Sequence, residues 1–369
     1  MSRSEVQPPR SAVTRKEVAR YAGVSSAVVS YVVNAGPKNV APATAARVLE
    51  AIRVLGYRPN AAARALKLGS TETLGLIVPR SDNPFFAQFA HAVEEAAGEH
   101  GYVLLLANSG DSLSKERRHL RTFLSRQIGA VLLASVVSEP DLSDLVSADV
   151  PVVLLNQGKP ADGFAAVGVD LRQGAIDAVQ HLIKHGHETI GLVIGTNASN
   201  ETNDRELGWL EALTRHGLRE GPIARAPFTR AGGYAGGKRL LAAAERPTGI
   251  FVSSDGQAVG VLRALHEAGI RVPEDIAVVS FDGSPESEYT WPALTTVRQP
   301  LDLMAGAAVE AVIAGGSAPR HQIFPTELLI RQSCGCKPPR PAKAATASKS
   351  PSISSLNSEP LPPDTTSSR

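Results

Sequence analysis

The sequence has almost no cysteine, no long apolar run and no secretion signal. Cys334 and Cys336 are the only cysteines among 369 residues, which excludes a disulfide framework and favours a reducing compartment. No apolar run approaches the roughly 18 residues that a membrane span needs, and the first ten residues lack the apolar core of a signal peptide. These absences predict a cytoplasmic protein with no membrane partner.

Charge is unevenly distributed along the chain, although the net charge is only +2. Residues 1–70 contain 11 Lys and Arg against 3 Asp and Glu, residues 71–336 contain 22 against 31, and residues 337–369 contain 5 against 2. A basic segment joined to an acidic body favours a module that binds nucleic acid, although like-charged tails give a similar imbalance. Because one compact core rarely exceeds about 250 to 300 residues, the length predicts two or more domains.

The amino-terminal segment has the pattern of short helices. Thr14 and Glu17 form a T-x-x-E capping box, in which each side chain satisfies a free backbone N–H at the start of a helix. The pattern predicts helices over residues 14–22, 25–34, 42–55 and 61–68, preceded by a disordered segment over 1–12. Two helices joined by a turn at Gly23 are typical of a helix-turn-helix unit that reads the DNA major groove, although an ordinary three-helix core gives the same pattern.

From Leu74 onwards, short apolar runs alternate with amphipathic helical stretches such as Asn83–His100. The runs are LGLIVP, YVLLLA, AVLLAS, PVVLLN, IGLVIG, GIFVSS and IAVVSF. Strands that are apolar on both faces and alternate with helices predict parallel sheets covered on both sides, and at least seven such units favour two α/β lobes. Residues 337–369 contain seven Pro and eight Ser and are predicted to form a disordered tail.

Segments at both ends of the chain carry a more specific pattern. They are VTRKEVARYAGVSSAVVSYVVN (Val13–Asn34), GYRPNAAARAL (Gly56–Leu66), LGLIVPRSDNPFFAQFAHAVEEAA (Leu74–Ala97), DRELGWLEAL (Asp204–Leu213), FVSSDGQAVGVLRAL (Phe251–Leu265), and VVSFDG with PALTTVRQP (within Val278–Pro300). In this order they resemble the lactose/galactose-repressor family of bacterial transcription regulators, from about Val13 to Gly335.

The resemblance implies a multidomain fold with an all-α head and an α/β core. A helix-turn-helix DNA-binding head would span residues 13–58, and a hinge helix residues 59–69. A core of two parallel-sheet lobes, similar to periplasmic sugar-binding proteins, would span residues 73–336. Its N-lobe would comprise about 73–169 and 299–324, and its C-lobe about 170–298 and 325–336, with an effector bound between the lobes.

By position, the resemblance implies a DNA-binding surface on the head. Ser26, Ala27 and Tyr31 would meet base edges, but Tyr31 replaces the more common arginine and removes a bidentate guanine contact. Ala41 replaces a usual hydroxyl, so one phosphate contact is expected to be lost. The implied phosphate contacts are Thr14, Ser25, Ser30, Asn34 and Tyr57.

The hinge segment has its own physical constraint. Eight residues are too few for a stable isolated helix, because nucleation is costly below roughly 12 residues. Its alanine content makes the helix inducible when it packs against a partner. The residue pattern places Asn60 as the cap of this helix. The resemblance implies that Leu66 is an apolar wedge between base steps of the minor groove, with Lys67 beside it, whereas the pattern alone also allows Leu66 a place in a core.

Two charged residues of the body stand out as candidate effector ligands. Arg205 begins a helix after an apolar strand, and Asp282 directly follows another strand. Groups beyond the carboxyl ends of parallel strands line the ligand crevice of α/β sheets. A guanidinium can fork onto hydroxyl pairs and a carboxylate can accept from two hydroxyls, which suits a sugar. The pattern alone also fits a surface ion pair, whereas the resemblance implies that both residues are effector ligands.

Further effector contacts are implied with less support from the pattern. Phe85, Phe86 and Phe228 occupy positions whose rings could stack on a sugar or base. Asn156, Ser254 and Asp255 are weaker candidates, and Asp255 has the alternative role of capping the helix that follows it.

Several motifs resemble other kinds of site but lack a required group. Residues 232–238 spell G-x-x-x-x-G-K, but Arg239 stands where a phosphate-binding loop needs Ser or Thr, so close helix packing is favoured instead. His181 and His185 have a metal-ligand spacing, but they lie at a predicted helix C-terminus, where the dipole favours imidazole. The Cys334-x-Cys336 pair lacks a second ligand pair for zinc. No catalytic motif occurs, and no cofactor, metal or catalytic residue is predicted.

These observations predict a sequence-specific transcriptional regulator rather than an enzyme. We expect a homodimeric repressor that binds a pseudo-palindromic operator and is released by a small-molecule effector such as a sugar or sugar derivative. A corepressor-dependent regulator or an activator is the alternative. A secreted solute-binding protein would lack residues 14–68, and an α/β enzyme would need a nucleophile and base that the sequence does not show. The tail shows no heptads, so nothing supports a tail-mediated tetramer.

Overall fold

A computed structural model describes residues 13–33, 39–58, 71–135, 140–155, 164–196, 203–314 and 321–336. Its α-helices are α1 (Arg15–Ala22), α2 (Ser26–Val33), α3 (Pro42–Leu55), α4 (Pro84–Glu99), α5 (Leu113–Ser125), α6 (Ser143–Ser147), α7 (Leu171–Lys184), α8 (Asp204–Arg215), α9 (Arg230–Leu241), α10 (Asp255–Glu267) and α11 (Leu301–Ala314). Its strands are β1 (Thr73–Val78), β2 (Val103–Asn108), β3 (Ala130–Leu133), β4 (Val152–Leu155), β5 (Ala165–Val169), β6 (Ile190–Gly195), β7 (Ile223–Ala226), β8 (Gly249–Val252), β9 (Ala277–Asp282), β10 (Thr295–Arg298), β11 (His321–Phe324) and β12 (Glu327–Leu329). Among the described residues, none of the helices combines the length and apolar character of a membrane span.

Several sequence predictions fall outside these residues. They concern the segment 1–12, the hinge helix, the tail from residue 337, and the candidate contacts Asn34, Asn60, Leu66, Lys67 and Asn156.

The head consists of α1, α2 and α3 around a small apolar core. The predicted capping box is present at α1, where the Glu17 carboxylate accepts from the Thr14 N–H at 2.6 Å and the Thr14 hydroxyl accepts from the Glu17 N–H. Gly23 ends α1 with φ of +65°, a left-handed conformation that glycine adopts without a steric penalty. Val29 of α2 and Val48 of α3 are fully buried in this core. The predicted helix-turn-helix arrangement is therefore confirmed.

The body contains two six-stranded sheets. The first has the order β11-β5-β4-β3-β1-β2 and is parallel throughout. The second has the order β12-β10-β9-β8-β6-β7 and is parallel except for β12, which runs antiparallel to β10. Since β1–β5 and β11 belong to one sheet and β6–β10 and β12 to the other, the chain passes between the sheets three times.

The strand β2 differs from its sequence prediction. Its run YVLLLA was expected to be covered on both faces, but β2 lies at the edge of the first sheet. Val103 is 68% exposed, Leu105 37% and Leu106 40%. The apolar run alone cannot distinguish an edge strand from a central one, because that depends on which strands pair.

Five short strands were not predicted individually. They are β5, β7, β10, β11 and β12, none longer than five residues, and several carry charged or polar side chains. The strands β7, β10, β11 and β12 lack a continuous apolar run, so hydrophobic periodicity does not reveal them, whereas β5 is a short apolar run that the sequence analysis missed.

The glycine-rich segment 232–238 lies within α9 and packs against α10, as predicted. A Cβ at Gly233 would overlap the backbone carbonyl of Gln257, and a Cβ at Gly260 would overlap that of Arg230. A Cβ at Gly237 would lie 3.0 Å from the methyl of Ala264. The glycines therefore allow two helix backbones to approach closely, and the phosphate-loop resemblance has no structural counterpart.

We predict that Gly233→Ala destabilises the core. Because the added methyl would meet backbone atoms that cannot rotate away, the free energy of unfolding should fall by about 3 kcal/mol. Gly256→Ala is the matched control in α10, since its Cβ would meet nothing within 4 Å. It should be neutral or stabilise by up to about 1 kcal/mol. Denaturant unfolding measures both, and equal effects would contradict the close-packing explanation.

Candidate effector pocket and DNA-binding surface

A cavity of about 410 Å³ lies between the two sheets. Its size is typical of small-molecule sites. The side chains that line it come from both halves of the body. They are Pro79, Arg80, Asn83, Phe85, Phe86, Asp111, Ser135, Leu171, Thr196, Asn203, Arg205, Phe228, Ser254 and Asp282.

The fold places this cavity at the carboxyl ends of parallel strands. Pro79 directly follows β1, Thr196 follows β6, and Asp282 is the last residue of β9. Helices also begin here, because Asn83 and Asn203 cap α4 and α8 by accepting from backbone N–H groups. The cavity therefore has the strand-end location that ligand crevices of α/β sheets share.

Arg205 and Asp282 meet in the wall of the cavity, as expected from the sequence. The Arg205 Nη2 lies 3.7 Å from Asp282 Oδ1, and their side chains are only 7% and 5% exposed. The guanidinium carbon lies 4.6 Å from the centre of the Phe281 ring. The buried Nε of Arg205 has no hydrogen-bond partner among the described residues. Since a buried unpaired donor is costly, this guanidinium is poised to donate to a ligand oxygen.

Burial dominates the electrostatics of this pair. It raises the pKa of the Asp282 carboxyl to about 8, and the nearby charge of Asp255 adds to the rise, whereas Arg205 opposes it. Burial likewise lowers the pKa of the Arg205 guanidinium, an effect that Asp282 opposes. Asp282 Oδ1 also accepts from Gln299 Nε2 at 3.2 Å. The carboxyl can thus change its charge near neutral pH when a ligand binds.

The backbone at Asp282 is also unusual. Its φ is +114°, a conformation that side chains other than glycine rarely adopt. Strained residues of this kind occur mostly where the surrounding structure holds a side chain for a ligand. The strain is consistent with Asp282 as a binding residue.

Three aromatic side chains contribute the apolar part of the wall. Phe85 and Phe86 begin α4 and meet edge to face, with ring centres 5.0 Å apart. Phe228 enters from the other half of the body, where its ring covers Gly195 so closely that a Cβ there would overlap it. The predicted aromatic residues are therefore brought together, and Gly195 is a contributor that the sequence analysis missed.

Asp255 is a correction to the sequence prediction. It does not line the cavity, and it is only 1% exposed. Its carboxylate accepts from the hydroxyls of Ser280, Thr296 and Ser284 and from the Ser284 backbone N–H. Its alternative role is also wrong, because the cap of α10 is Ser254. Asp255 instead joins β10 to the segment that follows Asp282, the last residue of β9.

Other cavity residues were not singled out from the sequence. Arg80 pairs with Asp82, and Ser135 donates to the Glu116 carboxylate at 2.9 Å. Asp111 and Thr196 complete the polar part of the wall. These residues follow predicted strands, so the strand-end rule used for Asp282 could have identified them.

On the head, the predicted base-reading residues share one stripe of α2. They are Ser26, Ala27 and Tyr31, and the predicted phosphate contact Ser30 lies beside them; Ala27 is exposed and the other three are half-buried. Val29 faces the head core from the other side of the helix. Ser25 caps α2, with its hydroxyl accepting from the Val28 N–H at 3.3 Å.

Two predicted phosphate contacts have other partners within the head. The Thr14 hydroxyl donates to Glu17 Oε2 at 2.7 Å, and hydrogen bonds from the Thr14 backbone and side chain lower the pKa of the Glu17 carboxyl. Tyr57 is half-buried and packs against the head core. Their contacts with DNA stay predictions.

The raised pKa of Asp282 predicts a pH-dependent effect of Asp282→Asn. Because the folded-state pKa of about 8 exceeds the ordinary value of 3.8, stability from this carboxyl is fully present below pH 3.8 and lost as pH rises through about 8. Asparagine cannot ionise, so the variant should gain stability relative to the parent between about pH 5 and about pH 8. Thermal unfolding of both proteins at the two pH values measures the difference in Tm.

The control for this experiment is Asp111→Asn, which removes an exposed carboxyl from the same cavity. Its left-handed φ of +57° suits asparagine as well as aspartate. A Tm difference for Asp282→Asn that does not grow with pH would contradict the buried protonated state.

Comparison with known proteins identifies the family of the head and of the core. The family model "Bacterial regulatory proteins, lacI family" matches residues 14–60, and the model "Periplasmic binding protein-like domain" matches residues 179–334. The chain is 39% identical to catabolite control protein A of Priestia megaterium, over 78% of this chain and 88% of that protein. It is 34% identical to the HTH-type transcriptional repressor PurR of Photobacterium profundum, over 87% of this chain and 98% of that protein.

Solved structures share this fold over most of the chain. The Lac repressor dimer bound to operator and the anti-inducer ONPF has a TM-score of 0.78 and 25% identity, covering 88% of this chain and 99% of that chain. The complex of the transcriptional regulator CelR with cellobiose has a TM-score of 0.63 and 31% identity, covering 87% and 99%. These findings confirm the predicted fold class and the predicted function. The chain belongs to the lacI family of bacterial regulatory proteins, whose members are DNA-binding transcriptional repressors with an effector-binding core.

Proposed function

We propose that the protein represses transcription in the cytoplasm as a homodimer, binds a pseudo-palindromic operator through its two heads, and responds to a sugar or sugar derivative. It binds this effector without chemically transforming it. The operator follows from symmetry, because each head of a two-fold dimer reads one half-site. The dimeric form in the Lac repressor complex supports this assembly.

The observation that carries the effector class is the incompletely satisfied charge pair in the cavity. The Arg205 Nε lacks a partner among the described residues, so a ligand oxygen can accept a hydrogen bond from it. The Asp282 carboxylate accepts from Gln299 and has further acceptor positions, so a ligand hydroxyl can donate to it. The rings of Phe85, Phe86 and Phe228 supply flat apolar surfaces that suit the face of a pyranose. Cellobiose in the CelR complex and sucrose in a Lactobacillus casei relative support a sugar.

The exposed strand β2 supports self-association. Val103, Leu105 and Leu106 are three exposed apolar side chains on this one edge strand. Monomeric proteins rarely leave such patches uncovered. A second copy of the chain that buries this edge would remove both the apolar surface and the unpaired backbone groups of the edge.

The operator-reading face is tested by Ala27→Glu. An acidic residue in the first turn of α2 suits the helix dipole, so the head should stay folded, but the new charge would face the DNA backbone and bases. We expect affinity for operator DNA to fall at least about tenfold. Fluorescence anisotropy with labelled duplex measures this loss.

The matched control is Ala46→Glu, which adds the same charge at an exposed position of α3. Its effect on DNA affinity should be small. Equal losses in the two variants would mean that only the net charge of the head matters, and would contradict α2 as the reading helix.

The effect of the effector on operator binding is tested by Arg205→Ala and Asp282→Ala. Removing either side chain leaves a ligand group or a buried charge unmatched, at a cost of about 1 to 3 kcal/mol of effector binding. The heads are unchanged, so for an inducer both variants should bind operator as before and fail to release it. For a corepressor, linkage reverses the sign and both variants should fail to repress.

The effector is first identified by a thermal-shift screen of sugars, polyols and nucleobases against the parent protein. Operator affinity is then measured with and without the compound that raises Tm. Asp149→Asn is the control, because Asp149 is exposed outside the cavity, and this variant should respond. A full response in both Ala variants would show that the pair has only a structural role.

A further inference from the structure

A second group of chemically reactive side chains lies away from the cavity, on the second lobe, which is the lobe built around the second sheet. His181 and His185 occupy adjacent turns at the end of α7, and Cys336 reaches them from the last described segment of the core. The Cys336 Sγ lies 3.6 Å from the His181 Nε2 and 3.2 Å from the His185 Nε2. The three ligand atoms lie within 4.8 Å of one another.

The two sulfur–nitrogen distances suit a tetrahedral metal ion. With zinc–nitrogen and zinc–sulfur bonds of about 2.0 and 2.3 Å, tetrahedral angles place nitrogen and sulfur about 3.6 Å apart. Among the described residues, these three are the only group of His, Cys and acidic side chains that converges in this way. His185 is exposed and the other two side chains are half-buried, so an ion can enter from solvent.

The neighbouring Cys334 does not share this arrangement. Its thiol is buried, accepts from the Thr295 hydroxyl at 3.0 Å and donates to the Arg331 carbonyl. Cys336 contacts the two imidazoles, and a side-chain hydrogen bond also links it to Cys334. The two cysteines, adjacent in the sequence motif, therefore have different roles.

We propose that His181, His185 and Cys336 form a zinc-binding site on the second lobe, with water as the fourth ligand. Two imidazoles and a thiolate are a borderline-soft donor set that favours zinc over magnesium or calcium. On binding, the zinc ion replaces the thiol proton, which is released to solvent, and the thiolate then bonds to the metal.

The site would fix the end of the core to α7. Leu171 at the start of this helix lines the effector cavity, and fourteen residues separate the two ends by about 21 Å. Zinc and effector would therefore bind at opposite ends of one helix without competing. Because the metal binds only the folded arrangement, it should raise the Tm of the protein.

The test uses Co²⁺ as a spectroscopic substitute for zinc in the full-length protein after chelation and dialysis. One equivalent of Co²⁺ should give a near-ultraviolet thiolate-to-cobalt charge-transfer band and visible bands of tetrahedral intensity, and Zn²⁺ should displace them. Zn²⁺ should also raise Tm by several degrees.

Four variants assign the ligands. Cys336→Ser should abolish the charge-transfer band, and His185→Gln should weaken Co²⁺ affinity at least about tenfold and reduce the visible bands. Cys334→Ser and His266→Gln are controls and should keep the parent spectrum, since His266 is an exposed histidine in the last turn of α10. Circular dichroism establishes that each variant is folded.

A parent protein without a thiolate band, or a band that survives Cys336→Ser, would overturn the proposal. So would binding that is equally weak in all the variants, because it would indicate scattered surface histidines. A zinc-dependent rise in Tm that is lost in Cys336→Ser and His185→Gln but kept in both controls would support it.

Discussion

The cavity depends on one energetic imbalance, which is a buried guanidinium beside a buried carboxyl, with polar groups that the protein does not fully satisfy. Taking a guanidinium and a carboxylate out of water is expensive, and an ion pair at 3.7 Å recovers only part of that cost. The raised pKa of Asp282 and the unpartnered Nε of Arg205 are two expressions of the same deficit. A hydroxylated ligand that bonds to both groups would relieve it, so the imbalance provides both affinity and selectivity.

The surrounding structure maintains this imbalance. Asp255 joins β9, the segment after it and β10 through Ser280, Ser284 and Thr296, and Asp282 keeps its unusual backbone conformation at the end of β9. The strain is tolerated because these buried hydrogen bonds over-determine the local geometry. Asp255 thus supports the backbone next to the proposed effector residue Asp282, although it does not line the cavity itself.

The same pair also lies next to a connection between the lobes. Gln299, which donates to Asp282, belongs to the segment between β10 and α11, where the chain passes from the second sheet to the first. A ligand that engages Asp282 therefore acts directly beside an interlobe connection. A coupling of about 1 to 3 kcal/mol between effector and operator requires only that this connection differ between the two states of the core.

Local features of the molecule were determined by the sequence itself. Capping boxes, glycine stops and apolar runs act within a few residues, so the three head helices, seven strands and the strand-end positions of Arg205 and Asp282 could be predicted from them. The family resemblance added the DNA-reading stripe of α2 and the aromatic wall. The tertiary structure decided what depends on distant partners: the exposed edge at β2, the backbone contact between α9 and α10, the burial of Asp255, and the meeting of His181 with Cys336 across 155 residues. The physical reason is that pairing, burial and ligand geometry arise from chain segments far apart in sequence, whose approach no local pattern encodes.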